Sequence, residues 1–575
     1  MINKNLIENL IQLFKNKKYE EVILQIQKNL DFNNCPPDLI NISAVSKLLK
    51  PNNTKEDVFS ALNDLEIYYK RSEKKFQKIE AVTNYISTCV VNSKKYNEIN
   101  TYFKKAKNLY EKCVTDVGYD EKLYIRGAEL YKYTLDHSKN KKILSELIKN
   151  KTKSKVSACA YGYMRNYTYD WGLKDYFHYS KKFENYFPKH NVQNINKINY
   201  KENKKVRIGF VSKDFIANHA ITWLIKNTLL YFDKNKFESF GISLSNDNLL
   251  KGSSELKNNF DNWLDLSKLK NQQIIDKIQD LRIEILIDLM GLFHADRIEI
   301  FNSRIAPVQI SWLGYPNTVG FPNIDYLISD KNLIKNGEEK FYSEKIIKLP
   351  HIWNAHSGFS FTRKLNELPS LNKNTFTFGS LNNFRKISND VVETWSKILH
   401  EVPNSKLILK SSTACDNGSL LNKFKKFKVD HKIEILRKLD FFKKEDHLKV
   451  YNRIDLCLDT FPYNGVTTTF EALWMNVPVL VMKGYNFNSR CGESIIKNLG
   501  INGLISNSKE NYIINAIKLS NDKNALTNLR KNIFEKLMQS PLFDTKEFSK
   551  NFVWQQDVVQ ASSHFHVQEV PHFQQ

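Results

Sequence analysis

From residue 206 onward the chain repeats one alternation, and that alternation leaves few folds open. Val206-Arg-Ile-Gly-Phe-Val211 is a short apolar run with β-branched ends, followed by a polar turn and an apolar helical stretch from about 219. Comparable runs recur at 238–244, 284–289, 307–312 and 325–328, with helical stretches in several of the intervals. Strands separated by helices build a parallel sheet with covered faces. After a polar stretch at 361–372 a second series begins, at 376–380, 405–410, 432–436, 454–458 and 477–482. Two successive α/β domains are expected, over 205–365 and 366–552. Such sheets bind ligands beyond the carboxyl ends of their strands, so the expected site is a cleft between the domains.

The region before them has a different period. Leu6, Leu10, Ile11, Leu13 and Phe14 repeat at helical spacing, as do Tyr19, Val22, Ile23, Ile26 and Leu30. Amphipathic pieces follow around 57–69, 75–92, 97–113 and 122–135. Residues 1–150 therefore read as stacked helical hairpins of the tetratricopeptide kind, with a plain helical bundle as the alternative. Residues 151–204, rich in Tyr and Phe, read as a helical and loop connection. The tail from 553 lacks Lys and holds His564, His566 and His572; it reads as divergent and disordered.

Composition excludes several classes. With 41% hydrophobic and 12% aromatic residues the chain is globular. No apolar run approaches the roughly 20 residues of a membrane span. The N-terminus lacks a signal-peptide stretch, and the seven cysteines are scattered singly, without a CxxC pair. A cytoplasmic protein is expected. The net charge of +24 comes mainly from Lys spread over the whole chain, not from a basic stripe interleaved with aromatics. No nucleic-acid partner is expected.

Neither GxGxxG nor GxxxxGK[ST] occurs, so a dinucleotide fingerprint and a P-loop are both missing. There is also no Asp-x-Asp. An enzyme handling a diphosphate with this sequence must neutralise it with Lys, His and helix N-terminal amides rather than with a metal. The richest segment is Asp459-Thr-Phe-Pro-Tyr-Asn-Gly-Val-Thr-Thr-Thr-Phe-Glu-Ala-Leu-Trp474, in which a turn at 462–465 precedes a helix opened by Thr467–Thr469. Thr468-x-x-Glu471 fits a capping box. The same geometry fits a diphosphate cradle, with the Glu471 carboxylate reaching a ribose hydroxyl. The two readings compete for Glu471.

This segment resembles the nucleotide-binding stretch of the O-linked N-acetylglucosamine transferase and SPINDLY family, in its bacterial form with a short helical front. Other blocks match in order over about 205–550. They include Val206 through His219, the distinctive Ala306-Pro-Val-Gln-Ile-Ser-Trp-Leu-Gly-Tyr-Pro-Asn-Thr-Val-Gly320, Phe378-Gly-Ser-Leu-Asn-Asn-Phe-Arg-Lys386, Lys444-Glu-Asp-His447 and Ser540-Pro-Leu-Phe543. The resemblance implies a GT-B-like pair of Rossmann-like domains behind the all-α region. It implies transfer of a sugar from a UDP-sugar to Ser or Thr of proteins, with inversion, without metal or cofactor, and with the helical region taking the protein or peptide acceptor.

Within that resemblance Lys386 neutralises the departing phosphate, Asn383 lies near the phosphates, and Thr467 and Thr468 supply hydroxyls to them. His447 contacts the base, Lys444 lies near the ribose, and Glu471 is an acidic ribose ligand. His219 faces the reacting sugar, either as base or as an orienting group. Three departures bear on the donor sugar: Val466 stands where animal members have His, Arg385 replaces an aromatic residue, and Gly291-Leu-Phe-His294 differs from the usual Gly-His-Thr or Gly-Tyr-Thr. N-acetylglucosamine is expected; fucose or another hexose, or a scaffold with an inactive transferase domain, are the alternatives.

Overall fold

The computed structural model describes residues 4–553 apart from 94, 196–197, 199–204, 246–253, 360–362, 364–366, 411–414 and 437–443. The C-terminal tail with its three histidines lies outside the described residues, as does the 365/366 domain boundary. The chain forms two compact units. Among the described residues, one comprises those up to Thr152 with those of 412–422, and the other comprises those from 153 to 553 outside that insert.

The first unit is all helix: Lys4–Lys15, Tyr19–Asn29, Pro37–Leu49, Lys55–Arg71, Lys75–Asn92, Tyr102–Val117, Glu121–Tyr133 and His137–Lys149. Each helix packs on its sequence neighbour. The ends follow local chemistry. Thr54 and Asp57 form a capping box ahead of Lys55–Arg71, Asp120 and Asp136 cap the last two helices, and Gly118 at φ 77° ends Tyr102–Val117. Val22, Ile26, Leu62, Leu65, Tyr85 and Ile86 fill its interior.

The second unit opens with helices Lys155–Met164 and Leu173–Phe183 and then builds two parallel sheets. The first holds β1 (Val206–Ser212), β2 (Phe237–Ser243), β3 (Asn262–Asp265), β4 (Ile285–Asp288), β5 (Val308–Ser311), β6 (Tyr326–Asp330) and β7 (Lys345–Leu349), in the order β3-β2-β1-β4-β5-β6-β7. The second holds β8 (Phe376–Ser380), β9 (Ser405–Lys410), β10 (Ile433–Leu436), β11 (Leu456–Leu458), β12 (Val479–Met482) and β13 (Ile505–Ser506), in the order β10-β9-β8-β11-β12-β13. These are the two Rossmann-like domains of the expected GT-B arrangement. Helices cover both faces, which is why β4 and β12 are buried along their whole length and are apolar but for Asp288 at the end of β4.

Three strands, β3, β7 and β13, lie outside the expected series. Each is an edge strand. Half-exposed sequences such as Asn-Trp-Leu-Asp in β3 carry too few apolar residues to signal a strand. The last helix, Thr545–Val553, returns to the first α/β domain, where the Phe552 ring meets Trp312 at 4.2 Å between centroids. All seven cysteines are buried, and none is in a disulfide. Among the described residues no helix is long and apolar enough to cross a membrane.

Candidate active site

In each sheet the strand order reverses direction once, between β1 and β4 in the first and between β8 and β11 in the second. Loops leaving the carboxyl ends of strands diverge at such switch points and leave a crevice. Here the loops after β1, β4, β8 and β11 all line one cavity of about 460 Å³ between the two α/β domains. The first domain contributes Asp214, His219, Phe293 and His294. The second contributes Asn382, Asn383, Lys386, Thr467 and Thr468.

The loop after β11 is tied together by one carboxylate. Asp459 Oδ1 accepts from the amides of Thr460 (2.8 Å) and Gly465 (2.7 Å) and from Asn382 Nδ2 (3.1 Å). A Cβ on Gly465 would stand 2.5 Å from Thr468 Oγ1 and 3.0 Å from Asp459 Oδ1, so only glycine lets the loop close this tightly. Lys386 follows β8 and donates to the Asn464 carbonyl at 2.6 Å, with its ammonium 4.1 Å from the centre of the Tyr463 ring. Burial drives the Lys386 pKa down to about 8 against the pull of Asp459, and drives the Asp459 carboxyl up to about 7. The Lys386 cation is thus poorly compensated where it stands, which suits it to an anionic ligand.

Helix Thr467–Trp474 begins at the cavity, which Val466, Thr467 and Thr468 line. Its N-cap is Val466, whose side chain makes no capping bond. The capping box expected of Thr468 and Glu471 does not form. Thr468 Oγ1 donates instead to Asn382 Oδ1 at 2.9 Å, and Glu471 turns away from the cap. Its carboxylate accepts from Lys444, from His447 Nε2 (2.9 Å) and from the Tyr451 hydroxyl (3.1 Å). Burial opposes the charge on Glu471, but Lys444 and His447 outweigh it and hold the carboxyl well below its usual range. His447 is itself kept neutral by desolvation, so it donates as an imidazole and leaves Nδ1 as a buried acceptor without a protein partner.

The structure therefore sorts the expected site residues into two groups. His219, Asn383, Lys386, Thr467 and Thr468 meet at the cavity. Lys444, His447 and Glu471 form a buried cluster behind Thr468, linked to it through Tyr451, whose hydroxyl also donates to the Thr468 carbonyl at 3.1 Å. Asn383 is exposed and its side chain accepts from the Arg385 amide. His219 is the N-cap of helix Ala220–Leu230: its Nδ1 accepts from the Ile221 amide at 3.4 Å.

Sequence reasoning did not single out Asp214 as a functional group, and it treated His294 only as a departure. Asp214 accepts from His294 Nε2 at 2.8 Å and lies 3.9 Å from His219 Nε2. Burial raises the Asp214 pKa, but the His294 hydrogen bond and the charges of His219 and Lys213 more than offset it, and the net shift is downward. Only the fold brings residues 214 and 294 together, through neighbouring β1 and β4. The loop after β4 is shaped by buried Asp288, which accepts from the amides of Met290 (2.8 Å) and Gly291 (3.1 Å), and by Gly291 at φ 55°, where a Cβ would strike Tyr315. Among the described residues no group of three or more His, Cys, Asp and Glu side chains is placed to hold a metal ion.

The profile of Glycosyl transferase family 41 matches residues 185–359 and 356–552. Among curated proteins, the probable UDP-N-acetylglucosamine–peptide N-acetylglucosaminyltransferase SPINDLY of Solanum lycopersicum is 29% identical over 393 residues, 66% of this chain and 40% of that protein. The Petunia hybrida protein of the same description is 31% identical over 360 residues, 60% of this chain and 38% of that one. The Arabidopsis thaliana protein described as the probable transferase SEC is 30% identical over 359 residues, 60% of this chain and 36% of that protein. The chain spans about two-fifths of the length of these relatives. An O-GlcNAc transferase variant of Thermobaculum terrenum superposes with a TM-score of 0.75 over 92% of this chain and 99% of its own, at 20% identity; that likeness establishes the shared fold.

Proposed function

The chain belongs to glycosyl transferase family 41, and we propose that it moves N-acetylglucosamine from UDP-N-acetylglucosamine to Ser or Thr hydroxyls of protein acceptors, with inversion and without a metal. The observation that carries this reading is the under-compensated Lys386 cation in the wall of a cavity formed by the switch points of two sheets. When the bond between sugar and diphosphate breaks, negative charge grows on the leaving oxygen. A fixed cation in a dry wall stabilises that charge more in the transition state than in the ground state. The N-terminal amides of Thr467–Trp474, the hydroxyls of Thr467 and Thr468, and Asn383 surround the remaining phosphate oxygens. The Lys444–His447–Glu471 cluster lies behind them, on the side of the ribose and base, and braces the start of the helix through Tyr451.

His219 and its neighbours belong to the acceptor side, across the cavity from Lys386. The helical unit supplies the surface for the protein acceptor, since stacked helices present extended faces to extended chains. Seven buried cysteines outside any disulfide fit the reducing cytoplasm, to which we assign the enzyme. The donor is tested by calorimetry with UDP and GDP in the presence of a chelator. UDP binding that Lys386→Ala weakens supports the reading. A preference for GDP would point to a fucose donor, and the absence of any nucleotide binding by folded protein would leave only a scaffold role.

A further inference from the structure

Two histidines flank Asp214 in the acceptor-side wall, and their ring nitrogens are differently engaged. At His219, Nδ1 accepts the Ile221 amide hydrogen, so the proton of the neutral ring sits on Nε2, which faces Asp214 Oδ1 at 3.9 Å. No lone pair is left free on that ring. Desolvation also lowers the His219 pKa, and the nearby Lys444 and His294 push it the same way against the pull of Asp214. At His294 the arrangement is reversed. Nε2 is bound to the Asp214 carboxylate at 2.8 Å, which fixes the hydrogen there, and among the described residues nothing bonds Nδ1. The ring lines the cavity with its side chain 22% exposed, on a loop held by Asp288.

We propose that His294, oriented by Asp214, is the general base of the transfer and that His219 is a positioning residue. This rests on the transferase reading above. In the step, the acceptor hydroxyl gives its proton to His294 Nδ1 while its oxygen bonds to the anomeric carbon. The carbon–oxygen bond to the diphosphate breaks, and its electron pair leaves with the nucleoside diphosphate beside Lys386. The His294 proton passes to solvent after release. Asp214 stays ionised and stabilises the imidazolium that forms, as a carboxylate does for any histidine base it orients.

The test follows UDP release from UDP-N-acetylglucosamine by the full chain, with water and then azide as acceptor, alongside UDP binding by calorimetry and melting temperature. Azide carries no proton and needs no base. In His294→Ala, release to water is expected to fall about a hundredfold or more, with UDP affinity within about twofold of wild type, and azide should restore release. Asp214→Asn should lower release without azide rescue reaching the level seen in His294→Ala, because the ring remains but is misdirected. Release by His294→Ala within threefold of wild type, or azide rescue confined to His219→Ala, would overturn the assignment. Loss of UDP binding in the wild type, or release equal in wild type and Lys386→Ala, would instead overturn the transferase reading itself.

Discussion

Lys386 and Glu471 show two opposite uses of a buried charge. Lys386 is held by one carbonyl and an aromatic face, and its pKa falls to about 8. If a diphosphate binds this cation, as proposed, UDP affinity should be level near pH 7 and fall by about tenfold per unit as pH rises past about 8. The folded pKa lies below the unfolded value of Lys, so charging the group costs the fold stability at low pH and the ligand recovers that cost. Calorimetry from about pH 7 to about pH 9 checks this; Lys386→Ala should be weak and flat, and should melt no lower than wild type. Glu471, by contrast, is saturated by Lys444, His447 and Tyr451 at 3% exposure. Glu471→Ala strands all three partners and should cost about 3–5 kcal/mol in urea unfolding, well beyond the roughly 1 kcal/mol of a lost helix cap. A loss near the cap value would restore the capping reading. The spacing Thr468-x-x-Glu471 could not reveal this, because Lys444, His447 and Tyr451 reach the carboxylate from another helix and the turn after it.

At the scale of elements, the loops at the strand ends decide the site. Gly465→Ala forces a Cβ against Thr468 and Asp459 and should cost about 1–3 kcal/mol, with UDP affinity falling because the loop proposed to hold the phosphates is displaced. Unchanged affinity and stability would show that the loop yields. Ten strands were legible from apolar runs: nine are central parallel strands, which bury both faces and are written largely in Val, Ile, Leu and Phe, and the tenth, edge strand β10, still alternates Ile and Leu with Glu434. Edge strands β3, β7 and β13 were not, because one edge of each has no neighbour and polar residues are tolerated there. The site was half legible. His219, Lys386, Thr467 and Thr468 stand in blocks whose order along the chain carries the resemblance. Asp214 stands in the first of those blocks too, but its partner His294 stands in none: 80 residues separate the two, and the parallel pairing of β1 with β4 is what joins them.

At the scale of the whole molecule, the two α/β domains are locked as well as faced. Arg490, 4% exposed in its side chain, donates to both oxygens of Glu338 and to the Leu333 carbonyl, tying helix Phe487–Leu499 of the second domain to the first. Glu338→Ala leaves a buried guanidinium uncompensated. It should destabilise the protein by about 3–5 kcal/mol and loosen the cavity, raising the KM for the donor more than it lowers kcat. A change in kcat alone would place the pair outside donor binding. The central claim is that the cavity between these domains discharges a nucleotide sugar onto a hydroxyl with Lys386 as the charge acceptor. The most direct measurement is UDP release from UDP-N-acetylglucosamine in the presence of EDTA, by wild type and Lys386→Ala side by side. The account predicts release by wild type and a loss of orders of magnitude in the variant at unchanged melting temperature. Equal rates in the two proteins, or release that EDTA abolishes, would contradict it.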